Sequence, residues 1–305
     1  MTANATESRT LQNKAVLGVL LMIGGLALYA FSDALIKQLM GTYSVPQTSF
    51  LRAVSRLIPL SFAVFMQGGI KKIFATQHPS RHLVRLGVNL TYTYAFMYAF
   101  SVASLTTIYT LSYTSSLFMI CLSALLLKER ISIGKWIAVG VGMGGVVIAM
   151  KPSTNVFEAA ALVVLLGTFL GSLNKILMRK LAATEHSLAI AIFPNIAMIL
   201  ITFPFLLFSW QPLSLHDLGF FCIIGIITAA GQYAIAQSLR FAQGSTLAPT
   251  DYSTIFWVVM LDFFWWEKIP ERRILLGAAI IILSNMYILY CSRKEQAEKT
   301  QVTSN

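Results

Sequence analysis

The run AVLGVLLMIGGLALYAFSDALIK, residues 15–37, decides the fold class. It is apolar over the length that a bilayer demands, about 20 residues at ~1.5 Å each across a hydrocarbon core of ~30 Å. Its only charges, Asp33 and Lys37, fall at the C-terminal end. The run is too long for the core of a signal peptide and carries no small-x-small cleavage site, so it is expected to stay as the first membrane helix behind a polar leader, residues 1–14.

Working outward, ten windows read as spanning helices, at roughly 15–37, 48–67, 83–101, 105–127, 133–150, 157–178, 188–208, 217–237, 246–266 and 274–291. The connections are short and leave no soluble domain, and the residues after 291 form a polar tail. Composition agrees: 56% of the 305 residues are hydrophobic and 11% charged, against roughly a quarter charged in soluble proteins. The net charge of +11 does not point to nucleic acid, because the basic residues sit at the ends of apolar blocks and not along one face. Cys121, Cys222 and Cys291 lie in separate apolar segments and read as packing residues.

The positive-inside rule orients the chain. With the amino terminus inside, Arg9, Lys14, Lys71, Lys72, Arg81, Arg85, Lys128, Arg130, Lys135, Arg179, Lys180, Arg240, Arg293, Lys294 and Lys299 are cytoplasmic. Only Lys151, Lys268, Arg272 and Arg273 fall opposite. Both termini, including the tail 292–305, are therefore expected in the cytoplasm. The segments 15–150 and 157–291 read as two related five-helix units. A shift of 138 residues places Ser115 on Ser253, Phe118 on Phe256, Glu129 on Glu267 and Ile131 on Ile269. A shift of 142 places Lys37 on Arg179 and Leu39 on Leu181. An odd number of helices per unit makes the second enter the membrane from the opposite side, which gives an inverted repeat with its substrate site near the midplane.

Several stretches carry a family resemblance: Ser32-Asp33-Ala34-Leu35-Ile36-Lys37 in the first helix, Phe50-Leu51-Arg52 opening the second, and the acidic turns Lys128-Glu129-Arg130 and Trp266-Glu267-Lys268. In order and spacing the chain resembles the drug/metabolite transporter superfamily, in its ten-helix branch of EamA-type permeases. The run Ala248-Pro249-Thr250-Asp251-Tyr252-Ser253 is similar to the Pro-x-x-Tyr segment of the subgroup with S-adenosylmethionine uptake carriers. Ser284 stands where that family often has a second glycine. The resemblance implies a multi-pass carrier in the cytoplasmic (inner) membrane for a small organic metabolite, such as an amino acid or S-adenosylmethionine-like zwitterion or cation. A vitamin, a nucleoside or an organic anion are the alternatives.

Polar residues inside hydrocarbon need a partner, water or a function. Tyr94 with Tyr98, and Tyr109 with Tyr113 and Ser116, recur at helical spacing and are expected to line an aromatic, hydrogen-bonding cavity, unless they only glue helices together. Gln232, Tyr233, Asp251, Ser253 and Trp257 form the counterpart in the second unit. Asp251 would bind a substrate amine or take up a coupling proton, or else cap a helix end. Asp33 and Lys37 have the spacing of an intrahelical ion pair and read as a gate or as snorkelling ends, with Lys175 at the mirrored end of helix six. Arg52 and Arg56 share a face of helix two, to attract an anionic group or to snorkel. Trp265 and Trp266 read as interfacial belt residues, and Glu129 and Glu267 as caps of the helices that follow.

No catalytic set is expected. Gly140, Gly142, Gly144 and Gly145 lie in an apolar helix with no Lys-Ser/Thr after them, so they are packing glycines and not a phosphate loop. His78, His82, His186 and His216 read as loop residues outside any metal motif. Neither cofactor nor metal is expected; the partners are the bilayer, a small substrate and coupling protons or a counter-substrate. A lipid-modifying membrane enzyme is the rival class and lacks its acid-base cluster.

Overall fold

The computed structural model describes the backbone of residues 2–66, 79–126, 131–150, 155–182, 187–241 and 247–304, with Lys128 and Glu185. Side chains are described over the same residues except 2–15, 155–158, 179–180, 182, 187, 239, 248 and 296–304. Glu129, Arg130, Lys71, Lys72, Lys151, His78 and His186 lie outside the described residues, as do the side chains of Arg179 and Lys180.

The described chain is helical: α1 (Thr2–Leu39), α2 (Val45–Met66), α3 (Pro79–Val102), α4 (Leu105–Ser112), α5 (Ser115–Leu126), α6 (Ile133–Met150), α7 (Asn155–Ala182), α8 (Ser187–Ser209), α9 (Leu215–Phe241), a 3-10 turn (Ala248–Ser253), α10 (Thr254–Trp266) and α11 (Arg272–Ser304). Among the described residues, eight stretches are long and apolar enough to cross a membrane. The two further expected spans fall short for physical reasons. α3 opens on Arg81, His82 and Arg85. α10 is only 13 residues long and is preceded by the 3-10 turn.

The polarity of the fold is that of a protein solvated by lipid. Phe62, Phe65, Leu200, Phe208 and Ile226 are exposed on the outside. Ser32, Gln47, Thr48, Thr106, Thr110, Asp262 and Asn285 are buried. Helices from the two halves of the chain interdigitate, α1 against α9, α2 against α8, α3 against α7 and α6 against α11. Small residues permit the closest approaches. A Cβ on Gly25 of α1 would lie 2.9 Å from the Gly231 carbonyl oxygen of α9, and one on Gly277 would lie 2.6 Å from that of Gly145. Gly142 and Gly145 are thus the packing glycines of α6, whereas Gly140 and Gly144 face open space. Ser284, beside Gly142, donates its hydroxyl to the Ala138 carbonyl.

The helix expected at 105–127 is broken. Tyr113 keeps right-handed helical angles, φ −64° and ψ −14°, but the Thr114 N–H bonds three residues back to the Leu111 carbonyl, a tightened turn that ends α4 before α5 begins. The shift of 138 residues carries this break onto Asp251 and Tyr252, inside the 3-10 turn that opens α10. Irregular backbone at membrane depth is tolerated only where it is buried in protein or lines a water-filled cavity. Here Asn285 of α11 donates its amide to the Tyr113 carbonyl, and Ser116 its hydroxyl to the same atom.

Candidate functional site

The polar interior runs the length of the bundle. At one end, connections from both halves of the chain meet. Asp262 of α10 is 1% exposed and accepts from the Leu105 and Thr106 backbone N–H groups at 3.1 and 2.7 Å and from the Thr106 hydroxyl at 2.7 Å. It therefore caps the positive end of α4 from across the bundle, beside that helix's own cap, Ser104. Lys37 stands 3.7 Å from the same carboxylate, donates to the Ala103 carbonyl at 2.6 Å and lies 4.7 Å from the Trp266 ring centroid. Gln47 makes a reciprocal amide pair with the backbone of Gln211 at 2.8 and 2.9 Å, and the Tyr43 hydroxyl donates to Asp217. Every one of these bonds except Lys37 to Ala103 joins the first half of the chain to the second.

One turn deeper, the Arg52 guanidinium meets Asp33 at 2.5 Å, and the Tyr109 hydroxyl donates to the other Asp33 oxygen at 2.8 Å. Arg56, one turn further along α2, has Arg52, Asp33, Tyr29 and Tyr92 within electrostatic reach. It makes no hydrogen bond or ion pair with any described residue, and its Nε is buried without a partner.

Beyond the break the interior is aromatic. Tyr113 and Tyr252 pack edge to face at 5.3 Å. The Ser253 hydroxyl, the Trp257 indole N–H and the Asn174 side-chain oxygen are buried and unpartnered. Lys175 of α7 and Asp251 of the 3-10 turn feel each other's charge, yet both are exposed and neither forms an ion pair with a described residue. At this end the halves are joined at the periphery instead, by His82 near Glu185, by Arg85 donating to the Ile190 carbonyl and by Lys135 bonded to Glu295.

Several expectations need correction. Asp33 and Lys37 do not pair with each other: each charge is taken up by a partner from another helix, Asp33 by Arg52 of α2 and Lys37 by Asp262 of α10. Tyr98 lies on the exposed stripe of α3 with Thr91 and Ser101, and Tyr233 on that of α9 with Ile223 and Ile226, so neither faces the interior. Tyr92, which packs on Gly171 of α7, takes the inward position on α3; Tyr94 is partly exposed, and Gln232 exposed. Trp266 covers Lys37 and stacks on Trp265 at 5.9 Å, and so belongs to the closed end as well as to the rim. Glu267 terminates α10 in the left-handed conformation, φ 51°, instead of capping the next helix. His82 and His216 lie within helices. Asp262 is absent from the residues expected to matter, although a carboxylate in the apolar run Met-Leu-Asp-Phe-Phe is a visible signal.

A helical bundle with an apolar exterior and a polar, partly unsatisfied interior defines a membrane-embedded protein that handles polar groups inside the bilayer. The chain belongs to the EamA-like transporter family, whose model matches residues 16–151 and again residues 158–290. It is 24% identical to an S-adenosylmethionine uptake transporter of Rickettsia bellii, over 80% of this chain and 83% of that protein. It is 26% identical to a riboflavin transporter of Vibrio cholerae, over 77% and 79%, and 25% identical to a pseudopaline exporter of Pseudomonas aeruginosa, over 88% and 94%. A solved crystal structure superposes with a TM-score of 0.61 at 15% identity, over 90% of this chain and 98% of its own, which is likeness of fold.

Proposed function

We propose that this protein is a secondary-active carrier of the inner membrane that moves a small organic metabolite bearing an amine and a carboxylate, of amino-acid or S-adenosylmethionine type, by alternating access. Ten helices, five in each of two inverted units, cross the bilayer with both termini in the cytoplasm. The observation that carries the reading is the unequal closure of the interior. At one end Lys37 and Asp262 are buried together between the halves, while at the other Lys175 and Asp251 stand exposed on facing elements. Under the positive-inside orientation this is a carrier closed to the outside and open to the cytoplasm.

In the proposed cycle, cargo enters beside Asp251 and Lys175. The ring faces of Tyr113, Tyr252 and Trp257 and the unpartnered Ser253 hydroxyl offer stacking and hydrogen bonds. Asp251 pairs with the substrate amine or takes up the coupling proton, and release outward requires the Lys37–Asp262 and Asp33–Arg52 contacts to part. S-adenosylmethionine, riboflavin and pseudopaline, the cargoes named for the three relatives, each fit a polar, aromatic interior, and the acid facing a lysine favours the zwitterionic ones.

The test is uptake into proteoliposomes of amino acids, S-adenosylmethionine, nucleosides and flavins, with and without a pH gradient. Saturable flux above empty vesicles is expected, and Asp251→Asn should abolish it without loss of membrane insertion. Normal flux in that variant removes Asp251 from the pathway, and no flux of any compound removes the carrier reading for these classes.

A further inference from the structure

α2 carries a charge that the fold leaves unanswered. The helix runs from Val45 to Met66, so Arg56 sits at its middle, ~15 Å of helix rise from either end, farther than an arginine side chain reaches. Snorkelling, one of the two readings of Arg52 and Arg56, is closed to it. The group is half-buried, crowded on all sides by protein, and keeps part of its surface accessible. Its neighbours do not neutralise it. Asp33 is already engaged by Arg52 at 2.5 Å and by Tyr109 at 2.8 Å, so two guanidiniums and one carboxylate leave one positive charge over at the midplane. The other groups around it, Tyr29 and Tyr92, are phenols, which hydrogen-bond an anion without supplying charge.

We infer that Arg56 is the receptor for the carboxylate of the transported molecule, with Arg52 held beside it by Asp33 and with Tyr29 and Tyr92 completing the ring. A planar guanidinium with free N–H groups matches a carboxylate in a bidentate fork, and at the midplane that contact desolvates both partners together. Cargo that enters with its amine toward Asp251 thus presents its acid toward Arg56, and a cargo without a carboxylate leaves the charge uncompensated. This rests on the carrier reading above and adds to it the group that selects the substrate.

The test pairs each acid with its carboxylate-free counterpart, methionine with methioninamide and S-adenosylmethionine with its decarboxylated form, with riboflavin added. Binding to the purified full chain is measured by thermal shift and calorimetry, beside flux in proteoliposomes. At least one acid should bind about 10- to 100-fold more tightly than its counterpart, the worth of one charged hydrogen bond. Arg56→Gln should erase that gap, and Arg56→Lys should restore part of it. The melting temperature of ligand-free Arg56→Gln should not fall, because the charge removed has no partner.

A lower ligand-free melting temperature, a gap that survives Arg56→Gln, or no gap in the native chain each overturns the assignment. Flux of a carboxylate-free cargo with no acid preference overturns it while leaving the carrier standing. An acid preference that Arg56→Gln abolishes, with no flux, supports the site and sinks the carrier.

Discussion

Lys37 and Lys175 are related by the same shift of 138 residues that aligns the two units, and they meet opposite fates. Lys37 is buried against Asp262, the Ala103 carbonyl and the Trp266 ring. Lys175 is exposed, and the position that mirrors Asp262 is Ala124. A charge taken out of water must find its counter-charge in protein, because otherwise the desolvation penalty keeps the site wet. One end of the bundle holds such a counter-charge, Asp262, buried on a central helix, whereas at the other the carboxylate that Lys175 feels, Asp251, is exposed. The two lysines at positions related by the shift therefore differ by one buried carboxylate.

The largest way to break this contrast is Asp262→Ala. It strands the buried Lys37 and leaves the Leu105 and Thr106 N–H groups without their acceptor, at a cost of about 3–5 kcal/mol. A cysteine replacing the buried Ala103 should be protected from an impermeant maleimide in the native background and labelled in the variant; protection in both would show that Asp262 does not hold this end shut. Next is Tyr109→Phe, which removes one hydrogen bond to the Asp33 carboxylate, worth ~1.5–3 kcal/mol. In a double-mutant cycle with Arg52→Gln its effect should be strongly non-additive, and simple additivity would separate the two contacts.

Ala124→Asp sharpens the contrast from the other side by supplying the missing counter-charge to Lys175. An ion pair that remains partly hydrated is worth up to about 1 kcal/mol, so transport should slow a few-fold. Unchanged flux would mean that the mirror relation does not extend to side chains. The smallest effects belong to Tyr98→Phe and Tyr233→Phe, both on exposed stripes, within ~0.5 kcal/mol and with unaltered flux. A strong loss in either would place that face in the pathway.

How much was legible beforehand follows from what each signal depends on. Long apolar runs declare membrane helices because lipid imposes one length and one chemistry on any span. The two windows outside the eight apolar spans, 83–101 and 246–266, are those in which polar residues and a 3-10 turn dilute the signal. The break at Tyr113–Thr114 was invisible, since no proline or glycine marks it and its carbonyl is satisfied by Asn285, distant in sequence. Tyr109 and Tyr113 lie in the interior, bonded to Asp33 and packed on Tyr252, because a polar group on a buried helix has few exterior uses. Tyr98 and Tyr233 misled because a tyrosine is equally at home at a lipid interface, so residue type alone does not give its face.

The sequence by itself determined the class of protein. Its apolar blocks, its basic loops and its repeated polar positions are local or periodic properties, and hydrocarbon leaves a chain so composed little choice but helices. Which charge answers which was decided only by tertiary structure. Asp33 and Lys37, four residues apart on one helix, look like each other's partners until α2 and α10 bring closer ones. Arg56 looks like a snorkelling cation until its depth and the prior claim of Arg52 on Asp33 leave it alone at the midplane. Electrostatic pairing depends on distance through space, and a linear sequence does not contain that distance.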